Sequence, residues 1–255
     1  MILTIDIGNT NIVFGCSDGK DVLFIERIAT RSTSTDTEYA IFFKNMLDIH
    51  SINISDIEGG IISSVVPSAT NLVKRAVKKL SDIDIIVIGP GIKTGLKIVT
   101  DNPAQLGSDL VADAVAGIAE YPVPLVILDF GTATTFSVIN ERKEYAGSII
   151  MSGVKVSHDS LVSRTAQLPK ISLEAPKHVV GTNTIDCMKS GLIYGTASSI
   201  DGMLERIEDE LGRKTTVIAT GGLAPTIIPL CKRSIVIDDM LLLKGLMIIY
   251  NKNKG

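Results

Sequence analysis

Cysteine and histidine are scarce in this chain. Cys16, Cys187 and Cys231 lie far apart, with no C-x-x-C pair among them, which excludes a zinc ribbon or dithiol centre and predicts buried thiols in a reducing compartment. His50, His158 and His178 lack the spacing of metal ligands, so a zinc enzyme is not expected and each imidazole reads as a surface or hydrogen-bonded side chain. Tryptophan is absent. No apolar run approaches the ~18 residues that span a bilayer. The N-terminus opens directly on a strand pattern containing Asp6, with no basic segment ahead of it, so neither a membrane anchor nor a secretory leader is expected and the location reads as cytoplasmic. Positive charge is not in excess either. A formal net charge of −3 and a pI near 5.7 supply no global field for nucleic acid. The basic group Lys74, Arg75, Lys78 and Lys79 reads as the solvated face of an amphipathic helix.

What remains is ordinary for a soluble α/β protein, 45% hydrophobic and 21% charged. Its 255 residues suffice for one large or two small domains. An internal echo favours two, over 1–119 and 120–255. The segment Ile2-Leu3-Thr4-Ile5-Asp6-Ile7-Gly8-Asn9-Thr10-Asn11-Ile12-Val13-Phe14 returns in outline as Leu125-Val126-Ile127-Leu128-Asp129-Phe130-Gly131-Thr132-Ala133-Thr134-Thr135-Phe136. Each copy is an apolar run of strand length ending in Asp, then a Gly turn with small polar residues, then a second apolar run. A single Asp-x-Gly turn is commonplace. Its repetition, with hydroxyl residues at matching places, predicts a duplicated phosphate-handling fold.

Gly8 and Gly131 permit close approach of an anion, while Asn9, Thr10, Asn11, Thr132 and Thr134 offer donors to phosphate oxygens. Asp6 and Asp129 beside such donors would repel a polyphosphate unless a cation lay between, so the pattern points to a metal-nucleotide ligand.

Periodicity along the chain alternates strand and helix. Strands are expected near 22–25, 61–66, 83–88, 125–128, 134–139, 146–151 and 216–219, and helices near 36–47, 69–80, after Pro103 until before Pro122, and over 154–164, 184–211 and 241–250. The glycine cluster at 89–95 fails as a P-loop by spacing and as a dinucleotide turn by context, because an extended stretch follows it. More informative is Asn102-Pro103-Ala104-Gln105-Leu106-Gly107-Ser108-Asp109-Leu110, where Pro103 and Gly107 shape a loop ahead of a helix. Asp109 there either orients and deprotonates an acceptor alcohol or stabilises the helix N-terminus. Gly221-Gly222 after a strand exposes bare backbone suited to a flat adenine or ribose.

Taken in order, Asp6-Ile7-Gly8-Asn9-Thr10-Asn11, Asn102-Pro103 with Gly107-Ser108-Asp109, Asp129 to Phe136, Gly181-Thr182-Asn183-Thr184 and Ala219-Thr220-Gly221-Gly222-Leu223-Ala224 resemble the type III pantothenate kinases over essentially the whole chain. These belong to the superfamily of acetate and sugar kinases, actin and chaperone ATPases. The resemblance implies two ribonuclease-H-like domains and ATP-dependent phosphorylation of the primary hydroxyl of pantothenate to 4'-phosphopantothenate, the first step toward coenzyme A. It implies ATP contacts from Asp6, Ile7, Gly8, Asn9, Thr10, Asn11, Ile12, Val13 and Thr132, to which the bare backbone of Gly221 and Gly222 adds the third nucleotide contact read from the residues. Asp109 is implied as proton acceptor, Asp129 as ligand of a monovalent cation (K+ or NH4+), and Mg2+ as companion of ATP. Thr100, Gly107, Ser108, Asp109, Leu110 and Thr184 are implied at pantothenate, and a homodimer is implied as the assembly.

The chain departs from the family pattern near the acceptor. It carries Gly-Ser-Asp-Leu at 107–110 where the family has Gly-Ala-Asp-Arg, Thr100 where Tyr is common, and Ser137 and Ser152 where Asp and Pro are common. Leu cannot make the paired hydrogen bonds of a guanidinium. A nucleotide-binding paralogue without kinase activity, or a kinase of another small alcohol, are the competing readings.

Overall fold

The computed structural model describes residues 1–31 and 33–254. It divides into two compact units, Met1–Ala119 with Met240–Gly255, and Glu120–Asp239.

The first unit begins with β1 (Ile2–Ile7), β2 (Asn11–Ser17) and β3 (Val22–Ala29), followed by α1 (Asp36–Ile49), β4 (Gly59–Ser64), α2 (Pro67–Leu80), β5 (Ile85–Val87), β6 (Lys97–Ile98) and α3 (Ser108–Glu120). Its five-stranded sheet has the order β3-β2-β1-β4-β5, with β1 antiparallel to β2 and parallel to β4. Alternation in β1 divides its side chains between two layers. Leu3, Ile5 and Ile7 enter a core with Phe14, Tyr39, Phe43, Leu47, Val73 and Val77, drawn from β2, α1 and α2. On the opposite face, Ile2 and Ile61 pack with Val111, Ala112 and Val115 of α3. A capping box starts α1, with Glu38 N–H donating to Thr35 Oγ1 at 3.2 Å and Thr35 N–H to Glu38 Oε2 at 2.6 Å. Pro67 opens α2, where its missing N–H is harmless, two residues ahead of the predicted start. The basic face of α2 is partly engaged, since Arg75 and Lys79 both reach Asp36.

The second unit repeats the plan. β7 (Leu125–Phe130), β8 (Ala133–Ile139) and β9 (Glu144–Ser152) form the meander, α4 (Val154–Arg164) and α5 (Thr184–Leu211) cross over to β10 (Thr216–Thr220), and the short α6 (Ala224–Ile227) leads to β11 (Val236–Ile237). Its strands run β11-β10-β7-β8-β9, so β7 holds the place of β1, with a hairpin on one side and a parallel strand on the other. Both central strands have the same burial sequence, exposed in part at the aspartate alone. Val126, Leu128 and Phe130 face the α5 and α6 residues Leu192, Ile193, Ile200, Leu204 and Ile227. The helix expected over 184–211 forms at those bounds, ended by Gly212 at φ 67. Neither α6 nor β11 is visible in the sequence pattern; both are too short to show periodicity. The fold is thus α/β with two ribonuclease-H-like units related by duplication.

The last helix, α7 (Leu241–Asn253), differs from the 120–255 expectation because it belongs to the first unit. Leu243, Leu246, Ile249 and Tyr250 join Ile2, Ile61 and the α3 residues in one cluster. Gly245 allows this, since a Cβ there would lie 1.9 Å from Ala112 O.

Candidate phosphoryl-transfer site

In the first unit Asp6 is the penultimate residue of β1, opposite Val13 on β2 and Ser63 on β4. All three therefore lie on the sheet face that carries α3. The hairpin beyond Asp6 closes with Gly8 N–H donating to Asn11 O at 3.0 Å. Thr30, just past β3, braces it by donating its N–H to Thr10 O at 2.9 Å and its hydroxyl to Gly8 O at 2.7 Å. Asn9, Thr10 and Asn11 are exposed at the tip, whereas Ile7 and Ile12 are buried in the core. Those two isoleucines present only backbone to a ligand.

The start of α3 is tied to the same strand ends. Ser108 Oγ lies 3.0 Å from Ser63 Oγ, accepts from Ser64 N–H at 2.9 Å and donates to Ser64 O at 3.2 Å. Its hydroxyl is therefore used in fixing the helix to β4, beside the neighbour of Asp6. The next residue, Asp109, is half-buried, and its Oδ1 accepts from Leu110 N–H at 2.9 Å. That oxygen folds back over Gly107, where an added Cβ would meet it at 2.3 Å. Asp6, Ser108 and Asp109 thus gather around the ends of β1 and β4, forty-five residues apart in sequence where Ser63 meets Ser108. Thr100 Oγ1 is buried with no hydrogen-bond partner, and Leu110 is half-buried.

In the second unit the hairpin is one residue shorter. Phe130 pairs with Thr134 where Ile7 pairs with Ile12, and Gly131 N–H donates to Ala133 O at 3.0 Å. Gly153, just past β9, takes the bracing role of Thr30 by donating to Thr132 O at 3.1 Å. Any Cβ at Gly153 would approach Thr132 O to 2.3 Å. Sequence reasoning missed Thr30, Ser63 and Gly153; the one available signal was that two of them directly follow the third strand of each meander.

Asp129 lies between Thr135 on β8 and Thr220 on β10. Glycines flank its carboxylate: an added Cβ would come within 3.3 Å of Oδ2 at Gly131 and 2.8 Å of Oδ1 at Gly221, whose φ is 92. Thr135 Oγ1 is buried without a hydrogen-bond partner. Carboxylate, hydroxyl and turn carbonyl oxygens are hard donors that suit an alkali or alkaline-earth cation. Among the described residues no group of three or more His, Cys, Asp or Glu is placed to hold a metal. Open space lies over Gly222, where a Cβ would touch nothing within 4 Å.

Thr184 opens α5 and is exposed. With Leu168, Gly181, Thr182, Asn183, Cys187 and Met188 it lines a hollow of about 540 Å³, a lining that does not include Asp129 or Gly221. Cys187 is exposed rather than buried as expected, since the first turn of α5 lies at the surface. Burial pushes the thiols of Cys16 and Cys231 up to about 11 and about 12 respectively, which leaves them protonated and unreactive at neutral pH. The glycine cluster at 89–95 is a loop held to α7, with Lys93 N–H and O both bonded to Asn253.

Duplicated units that each carry an aspartate next to the end of the central strand, followed by a glycine turn, place the chain in the actin-like ATPase fold. Solved structures agree on the fold. The ROK hexokinase of Thermus thermophilus superposes with a TM-score of 0.53 at 11% identity, covering 99% of both chains. The activator of 2-hydroxyisocaproyl-CoA dehydratase from Clostridium difficile, solved with ADPNP bound, gives 0.55 at 13% identity over 98% of this chain and 93% of that one. The family model for type III pantothenate kinase matches residues 2–206. Type III pantothenate kinases of Halalkalibacterium halodurans and Exiguobacterium sp. are 45% and 44% identical, covering 99% and 100% of this chain and 100% of each relative. The chain belongs to the type III pantothenate kinase family.

Proposed function

We propose that this protein transfers the γ-phosphoryl group of ATP to the primary hydroxyl of pantothenate, giving 4'-phosphopantothenate in coenzyme A biosynthesis. The observation that carries this reading is the placement of Asp109 at a helix start fastened to β4 beside Asp6, within a chain of this family. Asp109 is the acceptor of the hydroxyl proton, a role worth ~10²–10⁴ in rate. Gly107 keeps one side of its carboxylate clear. The hairpin from Asp6 to Val13, with Thr132, Gly221 and Gly222, binds the nucleotide. Thr100, Gly107, Leu110 and Thr184 meet the acceptor, while Ser108 acts by holding α3 in place. Asp129, between its two glycine turns, takes a monovalent cation, K+ or NH4+. When bound, that cation and Mg2+ neutralise charge on the transferring phosphate.

A homodimer fits the apolar side chains that the second unit exposes, with Ile150 at 71% and Val180 at 81%. Among the described residues no helix is long and apolar enough to cross a membrane.

ADP release from purified protein with Mg-ATP, K+ and pantothenate tests the reading. Potassium-dependent turnover is expected, falling ~10²–10⁴-fold in Asp109→Asn with ATP binding unchanged. ATP binding with no response to pantothenate refutes it. A response to a different alcohol would then identify an altered kinase, and no response to any would identify a binding paralogue, the reading Leu110 favours.

A further inference from the structure

Residues 165–183, between α4 and α5, contain no helix or strand, a length of irregular chain that compact domains seldom carry without a use. Their second limb is fastened along α5. Glu174 Oε1 pairs with Lys189 Nζ at 2.5 Å, Ser190 Oγ donates to Val179 O, and Cys187 Sγ donates to Gly181 O at 3.3 Å.

The first limb is held through an imidazole. His158 of α4 is buried, its Nδ1 lies 3.0 Å from Asp159 Oδ1, and its Nε2 accepts from Ile171 N–H at 3.1 Å. A ring nitrogen that accepts an amide proton carries none itself, so this hydrogen bond selects the tautomer with its proton on Nδ1, facing Asp159. Ile171 and Leu173 pack on the core of the second unit at this point. Leu168 stands three residues ahead of Ile171, separated from it by Pro169 and Lys170. Proline fixes its own φ and restricts the residue before it, so the link from Ile171 back to Leu168 is stiff. Leu168 is the side chain that this limb contributes to the hollow containing Thr184.

We propose that His158 is a positioning residue for that hollow: by docking Ile171 it sets Leu168 opposite Thr184 and thereby fixes the width available to the acceptor. The turn at Gly131 has its own brace, the Gly153 N–H donating to Thr132 O at 3.1 Å. The kinetic form of the proposal rests on the pantothenate reading above; the docking itself does not.

Three variants test it in the full-length protein. His158→Leu removes the acceptor atom, His158→Gln keeps one in amide form, and Leu168→Ala leaves the histidine intact while opening the hollow. His158→Leu and Leu168→Ala are each expected to raise KM for pantothenate about tenfold while KM for ATP stays within twofold. His158→Gln should recover most of the loss. Amide exchange at Ile171 should quicken in His158→Leu and remain slow in His158→Gln, and nitrogen NMR should show His158 with an unprotonated Nε2. Equal change in both KM values, or an Ile171 amide equally protected in His158→Leu, overturns the proposal. Should the wild-type protein not turn over pantothenate, the function fails separately, and the exchange and NMR measurements still decide the docking.

Discussion

Replacing Gly107 by alanine separates the placement of Asp109 from the stability of the fold. The new Cβ would stand 2.3 Å from Asp109 Oδ1 and 3.5 Å from its Cγ, with no backbone atom among its close neighbours. An ordinary contact to carbon begins above about 3.3 Å, so the oxygen must retreat by about 1 Å, and a side chain can do this by rotating. The fold therefore absorbs the change. Its costs are the hydrogen bond from Leu110 N–H to Asp109, worth ~1 kcal/mol, and a poorer residue at the helix N-cap, partly offset by the smaller chain entropy of alanine when unfolded. The melting temperature should move by only a few degrees. Catalysis should suffer far more, because a reacting group misplaced by ~1 Å loses about 10²-fold in rate, equivalent to ~2.7 kcal/mol of barrier. ADP release with saturating ATP and pantothenate should thus show kcat reduced about a hundredfold, alongside nearly unchanged thermal unfolding and ATP affinity. A kcat within threefold of wild type would refute the assignment of Asp109 as the proton acceptor in this geometry.

Gly221→Ala should be costly in both respects, since a Cβ at φ 92 would meet Phe130 N at 2.7 Å and Asp129 Oδ1 at 2.8 Å; a drop in melting temperature together with loss of potassium response is expected, and retention of both would contradict the packing. Gly245→Ala should unfold the first unit or prevent its folding, because Ala112 O would lie 1.9 Å from the new carbon and backbone cannot rotate away; soluble protein with a wild-type melting temperature would count against the placement of α7. Glu208 is buried, which pushes its carboxyl up, but hydrogen bonds from Arg233, Lys214 and Thr215 outweigh that and bring it down to about 2. A carboxyl held below its unfolded value stabilises above about pH 4.3 and loses that contribution as pH falls toward 2, so Glu208→Gln should cost ~2–3 kcal/mol at pH 7 and progressively less below pH 4; a difference independent of pH would refute this.

Local signals made much of the fold legible. The hairpins at Asp6 and Asp129 are written in apolar runs of strand length and a glycine turn, and α5 declares itself through Ile200, Met203, Leu204, Ile207 and Leu211 at helical spacing. Short elements such as β11 and α6 escape because two to four residues carry no period. The membership of α7 is invisible for a different reason. What places it is the missing Cβ of Gly245 against the backbone of Ala112, a steric fact between residues far apart in sequence. The candidate site divides the same way: both Asp-x-Gly turns are readable, whereas Thr30 and Gly153, which brace them, read as ordinary loop residues until the third strands return beside the turns.

The start of α3 shows how position and charge are solved separately. Where the family pattern carries alanine, this chain carries Ser108, and its hydroxyl is spent on Ser63 and Ser64. That bond network holds the start of α3, and with it Asp109, against the ends of the strands. It therefore supplies geometry. It cannot supply what Leu110 lacks, since a hydroxyl already bonded to a serine hydroxyl, an amide and a carbonyl has no donor left for a carboxylate, and it carries no charge. An acceptor bearing a carboxylate must then be neutralised by another cation or bind weakly. Leu110→Arg distinguishes the two: a fall of tenfold or more in KM for pantothenate means that the charge is missing, while an unchanged KM means that another group already provides it.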